Sequence, residues 1–287
     1  MRVVSTVAEL RKARGDYPSL GFVPTMGFLH EGHLTLVRAA KARMGAVACS
    51  IFVNPTQFAP TEDLARYPRD LERDLTLLAE AGCDLVFTPT PEGVYPDGFS
   101  THIEVEGVTA PLEGAVRPGH FSGVATVVTK LFNMVQPDAA WFGQKDAQQC
   151  AVIRRMARDL NLPVEIVVAE TVREPDGLAM SSRNIYLAAD ERVAALCLIR
   201  ALRAAEAAFE AGERLGERLR AAMSAELVAE PMARPDYVSI ADPDTLAELD
   251  TVDARGAVAS LAVRIGKTRL IDNLLLGEAR HRWLGGG

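Results

Sequence analysis

The chain has 287 residues, 48% of them hydrophobic and 24% charged, and carries a formal net charge of −7 at pH 7. That balance is globular and excludes disorder, and the length is enough for one large α/β domain or for two smaller ones. An acidic chain without a Lys/Arg-rich block is not built around nucleic acid, although a local pocket can still be positive towards a small anion.

The first 170 or so residues alternate between short apolar runs and longer amphipathic segments. Strands are predicted at Leu20–Val23, Val47–Val53, Leu85–Thr88, Ala140–Phe142 and Val164–Val168. Helices are predicted at His33–Met44, Asp70–Ala81, Ser122–Val135 and Asp146–Asn161. Nearly all-apolar strands between amphipathic helices predict a Rossmann-like, doubly wound parallel sheet, with its ligand at the carboxyl ends of the strands. After the turn cluster Arg173-Glu-Pro-Asp-Gly177 the texture changes. One long Ala-rich helix is expected over Ala188–Ala211, a second over about Glu213–Glu230, and short strands at Asp236–Ile240, Ala257–Ile265 and Thr268–Leu270. This reads as a first domain over 1–171 and a smaller α+β domain over 172–287, the latter a lid, with Gly285–Gly287 as a loose tail.

Glu9, Arg11 and Lys12 come too early for a signal peptide, and the longest apolar stretch, Ala46 to Val53, is far short of a membrane span. Cys49, Cys83, Cys150 and Cys197 are scattered in apolar contexts, which predicts buried reduced thiols and cytoplasmic residence without a membrane partner.

The segment Gly21-Phe-Val-Pro-Thr-Met-Gly-Phe-Leu-His30-Glu-Gly-His33 carries the strongest chemical signal. It reads as strand, tight turn and helix start, where unpaired N–H groups and the positive end of the helix dipole attract anions. His30 and His33 are three apart and share a helix face, and Gly32 keeps no side chain between a phosphate and the backbone. Leu34, Leu36, Val37 and Ala40 supply the apolar face. A zinc site competes, yet H-E-x-x-H needs its histidines four apart, and a packed structural pair also stays open.

Further along, Asn54-Pro-Thr-Gln57-Phe58 leaves the second strand through a Pro-fixed turn. Asn54 and Gln57 could orient a hydroxy acid, or Asn54 could simply cap the turn. Arg117-Pro-Gly-His-Phe-Ser-Gly123 opens a helix that Ser122 could cap, with His120 read as a turn residue. In Trp141-Phe-Gly-Gln-Lys-Asp146, Asp146 is a good N-cap. Lys145 opposes the helix dipole, which points to a compensating phosphate. Ser181, Ser182 and Arg183 offer two hydroxyls and a guanidinium to phosphate oxygens, from a loop composition that is common in itself.

In order and in kind, these motifs resemble the pantothenate synthetase (pantoate–β-alanine ligase) family of the nucleotidylyl-transferase superfamily, over residues 20 to 186. The resemblance implies ATP-dependent condensation of (R)-pantoate with β-alanine to pantothenate, AMP and diphosphate through a pantoyl adenylate, in a homodimer using Mg²⁺. It implies ATP contacts from Met26, Gly27, Phe28, Leu29, His30, Glu31, Gly32 and His33, from Gly143, Gln144, Lys145 and Asp146, and from Val172, Met180, Ser181, Ser182 and Arg183. His33, His30, Lys145, Ser181, Ser182 and Arg183 would be catalytic, with His33 the acid. Gln57, Gln149 and Asn54 would hold pantoate and β-alanine, and Mg²⁺ would sit mainly on ATP phosphates. Phe28 departs from the family pattern, where a smaller residue is usual, and a metal-linked role for Asp74 stays open. The rivals are another nucleotidylyltransferase and a nucleotide-binding protein without turnover.

Overall fold

The computed structural model describes residues 1–58 and 64–284, so the expected tail Gly285–Gly287 lies outside the described residues. The chain divides into one unit of Met1–Gly143 with Val152–Ala169 and another of Gln144–Ala151 with Glu170–Gly287.

Elements run in the order β1 (Arg2–Val4), α1 (Val7–Arg14), β2 (Gly21–Thr25), α2 (Glu31–Met44), β3 (Val47–Ile51), α3 (Leu71–Glu80) and β4 (Leu85–Phe87). The short helices α4 (Pro91–Val94) and α5 (Glu113–Val116) follow, then α6 (His120–Val135), β5 (Ala139–Gly143), α7 (Ala147–Asp159) and β6 (Glu165–Ala169). The six strands lie in the order β1-β4-β3-β2-β5-β6, and every pairing is parallel. β1 and α1 were not among the expected elements. Their signal was present, because Thr6 and Glu9 form a capping box at the start of α1.

From β2 the chain steps outward to β3 and β4, then returns to place β5 on the other side of β2. The strand order therefore reverses between β2 and β5, the position where doubly wound sheets bind ligands. Pairing of β2 with β5 covers only Gly21 and Phe22. It stops just before Pro24, whose missing N–H removes a ladder donor. On α2, Leu34, Leu36, Val37 and Ala40 are buried as expected, and they pack with Val23, Val47, Cys49, Val86 and Trp141.

The second unit holds an antiparallel sheet of β7 (Ala233–Ala241), β8 (Ala257–Ile265) and β9 (Thr268–Leu276), in the order β7-β8-β9. Its helices are α8 (Ala189–Ala194), α9 (Cys197–Glu210), α10 (Gly216–Val228) and α11 (Glu278–Leu284). Two expectations are corrected. The single Ala-rich helix is two, because hydrogen bonding switches to the tighter i−3 pattern at Leu196 and Leu198. No Gly or Pro marks that break, so helix propensity alone could not reveal it. The last strand runs on past Leu270 to Leu276, and Asp272 and Asn273 are buried within it. All four cysteines are free and buried, and burial pushes the Cys197 thiol up to about 11.

Candidate functional site

The turn after β2 is held in a conformation that L-residues seldom adopt. Gly27 has φ 83° and Phe28 has φ 52°. Left-handed backbone costs little at glycine and roughly 1–2 kcal/mol elsewhere, so Phe28 needs support. Asp74 of α3 supplies it: 1% exposed, its Oδ2 accepts from the Phe28 N–H and its Oδ1 from the Leu29 N–H, both at 2.7 Å. Arg73 donates to the Leu29 carbonyl at 3.0 Å and places its guanidinium 5.5 Å from the Phe28 ring centre. A Cβ on Gly27 would lie 3.0 Å from Asp74 Oδ2, so the carboxylate and the glycine are fitted to one another.

This turn delivers His30 to the N-cap of α2 and His33 to its first turn, with ring centres 4.0 Å apart. The His30 backbone N–H donates to His33 Nδ1 at 3.3 Å. An Nδ1 that accepts leaves the proton of the neutral ring on Nε2, which makes that atom a donor. Of their neighbours, Gly27 and Leu29 are buried and Met26, Phe28 and Gly32 half-buried, while the exposed Glu31 pairs with Arg38.

In the same unit, Asn54 is almost wholly buried and its amide is engaged at both ends. Its Oδ1 accepts from the Tyr95 hydroxyl at 2.7 Å and from Thr56 Oγ1 at 2.9 Å. Its Nδ2 donates to Gln57 Oε1 at 3.1 Å and to the Gly123 carbonyl at 3.2 Å. The capping role therefore belongs to Asn54, and Gln57 is the residue that it orients. Gln57 Nε2 in turn lies 3.2 Å from Met26 Sδ. A Cβ on Gly123 would come 2.4 Å from the Thr56 carbonyl, so only glycine lets α6 approach this turn. The cap considered above for Ser122 is not formed; α6 starts earlier, with Gly119 at the N-cap in left-handed conformation. His120 Nδ1 meets the Gln57 carbonyl at 2.8 Å, so this residue supports the Gln57 backbone.

Gly143 ends β5, and the remaining predicted contacts fall in the second unit. Lys145, Ser181 and Arg183 line one cavity with Arg269 and Asp272. Val172 and Met180 are tied by a backbone bond from the Met180 N–H to the Val172 carbonyl, and Arg173 bridges to Ala179, so this stretch is a hydrogen-bonded hairpin. Ser181 Oγ caps the following turn by accepting from the Arg183 N–H at 3.2 Å. Asp146 is exposed and lies 3.9 Å from the Lys145 ammonium, while Gln144 is buried and Gln149 half-buried on the first turn of α7.

For a metal, the donor set is poor. Among the described residues no three His, Cys, Asp or Glu side chains group together, and both Asp74 oxygens already accept backbone N–H groups. Within each unit taken by itself, the nitrogen and cationic groups instead suit phosphate oxygens.

The sequence profile described as Pantoate-beta-alanine ligase matches residues 2–275. The pantothenate synthetase of Herpetosiphon aurantiacus is 63% identical over 276 residues, covering 96% of this chain and all of that one. That of Roseiflexus sp. is 65% identical over 277 residues, covering 96% and 99%. The crystal structure of pantothenate synthetase from Thermus thermophilus matches with a TM-score of 0.90 at 54% identity, over 96% of this chain and 99% of that one. The pantoate-beta-alanine ligase from Francisella tularensis, complexed with beta-gamma ATP and beta-alanine, matches with a TM-score of 0.77 at 34% identity, over 96% and 97%.

The chain belongs to the pantoate–β-alanine ligase family. It is a ligase joining pantoate to β-alanine, and the rival readings, another nucleotidylyltransferase or a silent nucleotide binder, are not favoured. The Rossmann-like α/β fold expected from the strand pattern is the one observed. Several side chains that build this ligase's candidate site escaped the sequence reading. Tyr95 ends the short helix α4, which gives no periodic signal; burial pushes its phenol up, and its hydroxyl donates to Asn54. Asp272 and Asn273 lie beyond the expected strand Thr268–Leu270 and were not singled out.

Proposed function

We propose that the ligase works through a pantoyl adenylate. The pantoate carboxylate oxygen attacks the α-phosphorus of ATP, the bond to the bridging oxygen breaks, and diphosphate leaves. The β-alanine amine then attacks the acyl carbon and loses a proton as AMP departs. No side chain becomes acylated, so catalysis rests on positioning and charge neutralisation. The observation that carries this reading is the convergence of Lys145, Ser181 and Arg183, far apart in sequence, on one cavity.

In this scheme Met26 to His33 contact the nucleotide, with His33 Nε2–H donating to a phosphate oxygen and His30 beside it. Gly143 to Asp146, Val172 and Met180 to Arg183 complete the nucleotide contacts, and the Val172–Asn184 segment acts as a lid. Gln57 and Gln149 hold pantoate by neutral hydrogen bonds, and Asn54 keeps Gln57 in place. Mg²⁺ would be held mainly by ATP phosphate oxygens, where it would neutralise their charge. The family likeness also supports a homodimer working in the cytoplasm.

The test follows the α-phosphate. Enzyme, Mg²⁺ and ATP labelled at that phosphate are mixed with pantoate, then chased with β-alanine. Diphosphate should form in an amount comparable with enzyme sites before the chase, and labelled AMP should appear with pantothenate after it. Label in ADP, or in a product that β-alanine cannot discharge, would overturn the scheme.

A further inference from the structure

Two adjacent residues in the middle of β9 are the least expected feature of the second unit. Asp272 and Asn273 are each 2% exposed in a strand otherwise rich in leucine. Asp272 accepts from Arg173 Nη1 at 2.7 Å and Nη2 at 3.0 Å, and also from the Asn273 N–H at 2.8 Å. Arg173 Nη1 donates as well to the Gly177 carbonyl at 3.1 Å, which closes the turn of the Val172–Met180 hairpin. Asn273 reaches a different segment. Its Nδ2 donates to the Gln144 carbonyl at 2.9 Å and to the Lys145 carbonyl at 3.0 Å, and its Oδ1 accepts from Gln144 Nε2 at 3.0 Å.

Burying an ion pair and an amide does little for stability that well-packed apolar side chains would not also do. What these groups do supply is placement. One strand step fixes the hairpin leading to Ser181 and Arg183; the next fixes the turn that carries Lys145. All three side chains face the same cavity. The Lys145 turn directs two carbonyls at β9, so it needs a double donor there, and the Asn273 amide is one.

We propose that Asn273 is a positioning residue of the ligase, which holds the Gln144–Lys145 backbone so that the Lys145 ammonium is presented to the nucleotide phosphates. The inference rests on the phosphate role of Lys145 proposed above. Asn273 does not touch substrate; it acts through Lys145.

The experiment measures pantoate-dependent diphosphate release by the full chain and its variants Asn273→Ala, Asn273→Asp, Lys145→Ala and the Asn273→Ala/Lys145→Ala double variant, with thermal unfolding of each. Losing both donors should lower kcat/KM for ATP about ten- to a hundredfold while the pantoate KM stays within about twofold. Asn273→Asp keeps the volume and presents oxygen to two carbonyls, so it should be impaired at least as much, and it answers the question should the alanine variant fail to fold. In the Lys145→Ala background the same Asn273→Ala change should cost less than about threefold, because residues acting as one unit are not additive. A lowered Tm with undiminished kcat/KM for ATP, or an equal loss in both backgrounds, would overturn the proposal. Full activity of Lys145→Ala would instead overturn the reading of Lys145 on which it rests.

Discussion

The turn after β2 and the turn after β5 solve one problem with opposite chemistry. The first points two N–H groups inward and is held by a carboxylate, Asp74. The second points two carbonyls inward and is held by a neutral amide, Asn273. A carboxylate can only accept and an amide nitrogen can only donate, so the direction of the peptide groups dictates the clamp. Each clamp comes from an element distant in sequence, and each turn presents a group suited to phosphate. The difference teaches that a catalytic turn should be judged by what holds its backbone as much as by the side chain it displays.

The comparison is broken most severely at the displayed groups. His33→Ala and Lys145→Ala should each lower kcat/KM for ATP by about 3 kcal/mol or more, roughly a hundredfold or more, with thermal unfolding little changed. A large loss in one variant and none in the other, measured by diphosphate release, would show that only one of the two turns serves the chemistry.

Next comes the clamp itself. Asp74→Asn sets an NH₂ against a backbone N–H, which leaves one buried donor unsatisfied and relaxes the left-handed turn. We expect a loss of about 2 kcal/mol in kcat/KM for ATP, about thirtyfold, accompanied by a fall in Tm. Undiminished turnover would mean that the turn keeps its shape without an acceptor, and the symmetry with Asn273 would be lost.

The smallest effect concerns the hairpin anchored beside the second turn. The hydrogen bond from Arg192 to Glu174, 2.7 Å long, holds that carboxyl below its ordinary value despite partial burial. A folded-state pKa below the unfolded one stabilises above the unfolded value of about 4.3 and is lost as pH falls through the folded one. Amide hydrogen exchange over Val172–Asn184 should thus be constant in underlying stability from pH 7 to about 5 and weaken only below about 4. Bound ATP should add protection to the same amides; equal exchange with and without nucleotide would argue against a lid.

Much of this molecule was legible in the chain. The apolar strands, the amphipathic α2 with its buried Leu34, Leu36, Val37 and Ala40, and the histidine-bearing turn all followed from periods of local hydrophobicity and from turn chemistry. Those signals are written within a few residues of where they act, so a sequence displays them directly. The motifs likewise identified the family, because each displayed side chain sits in a short, ordered run.

Tertiary structure decided what holds those runs. That Phe28 adopts a left-handed φ, that Asp74 receives its N–H, and that the amide of Asn54 is spent on Tyr95, Gly123 and Gln57 depend on partners many residues away. The two-helix break at Ala195–Leu196 has no residue to announce it. The strand expected over Thr268–Leu270 stopped short of Asp272 and Asn273, whose burial within β9 only the assembled fold decides. Local composition records which groups prefer water, whereas only the assembled fold supplies the buried partners that let a carboxylate and an amide stay inside.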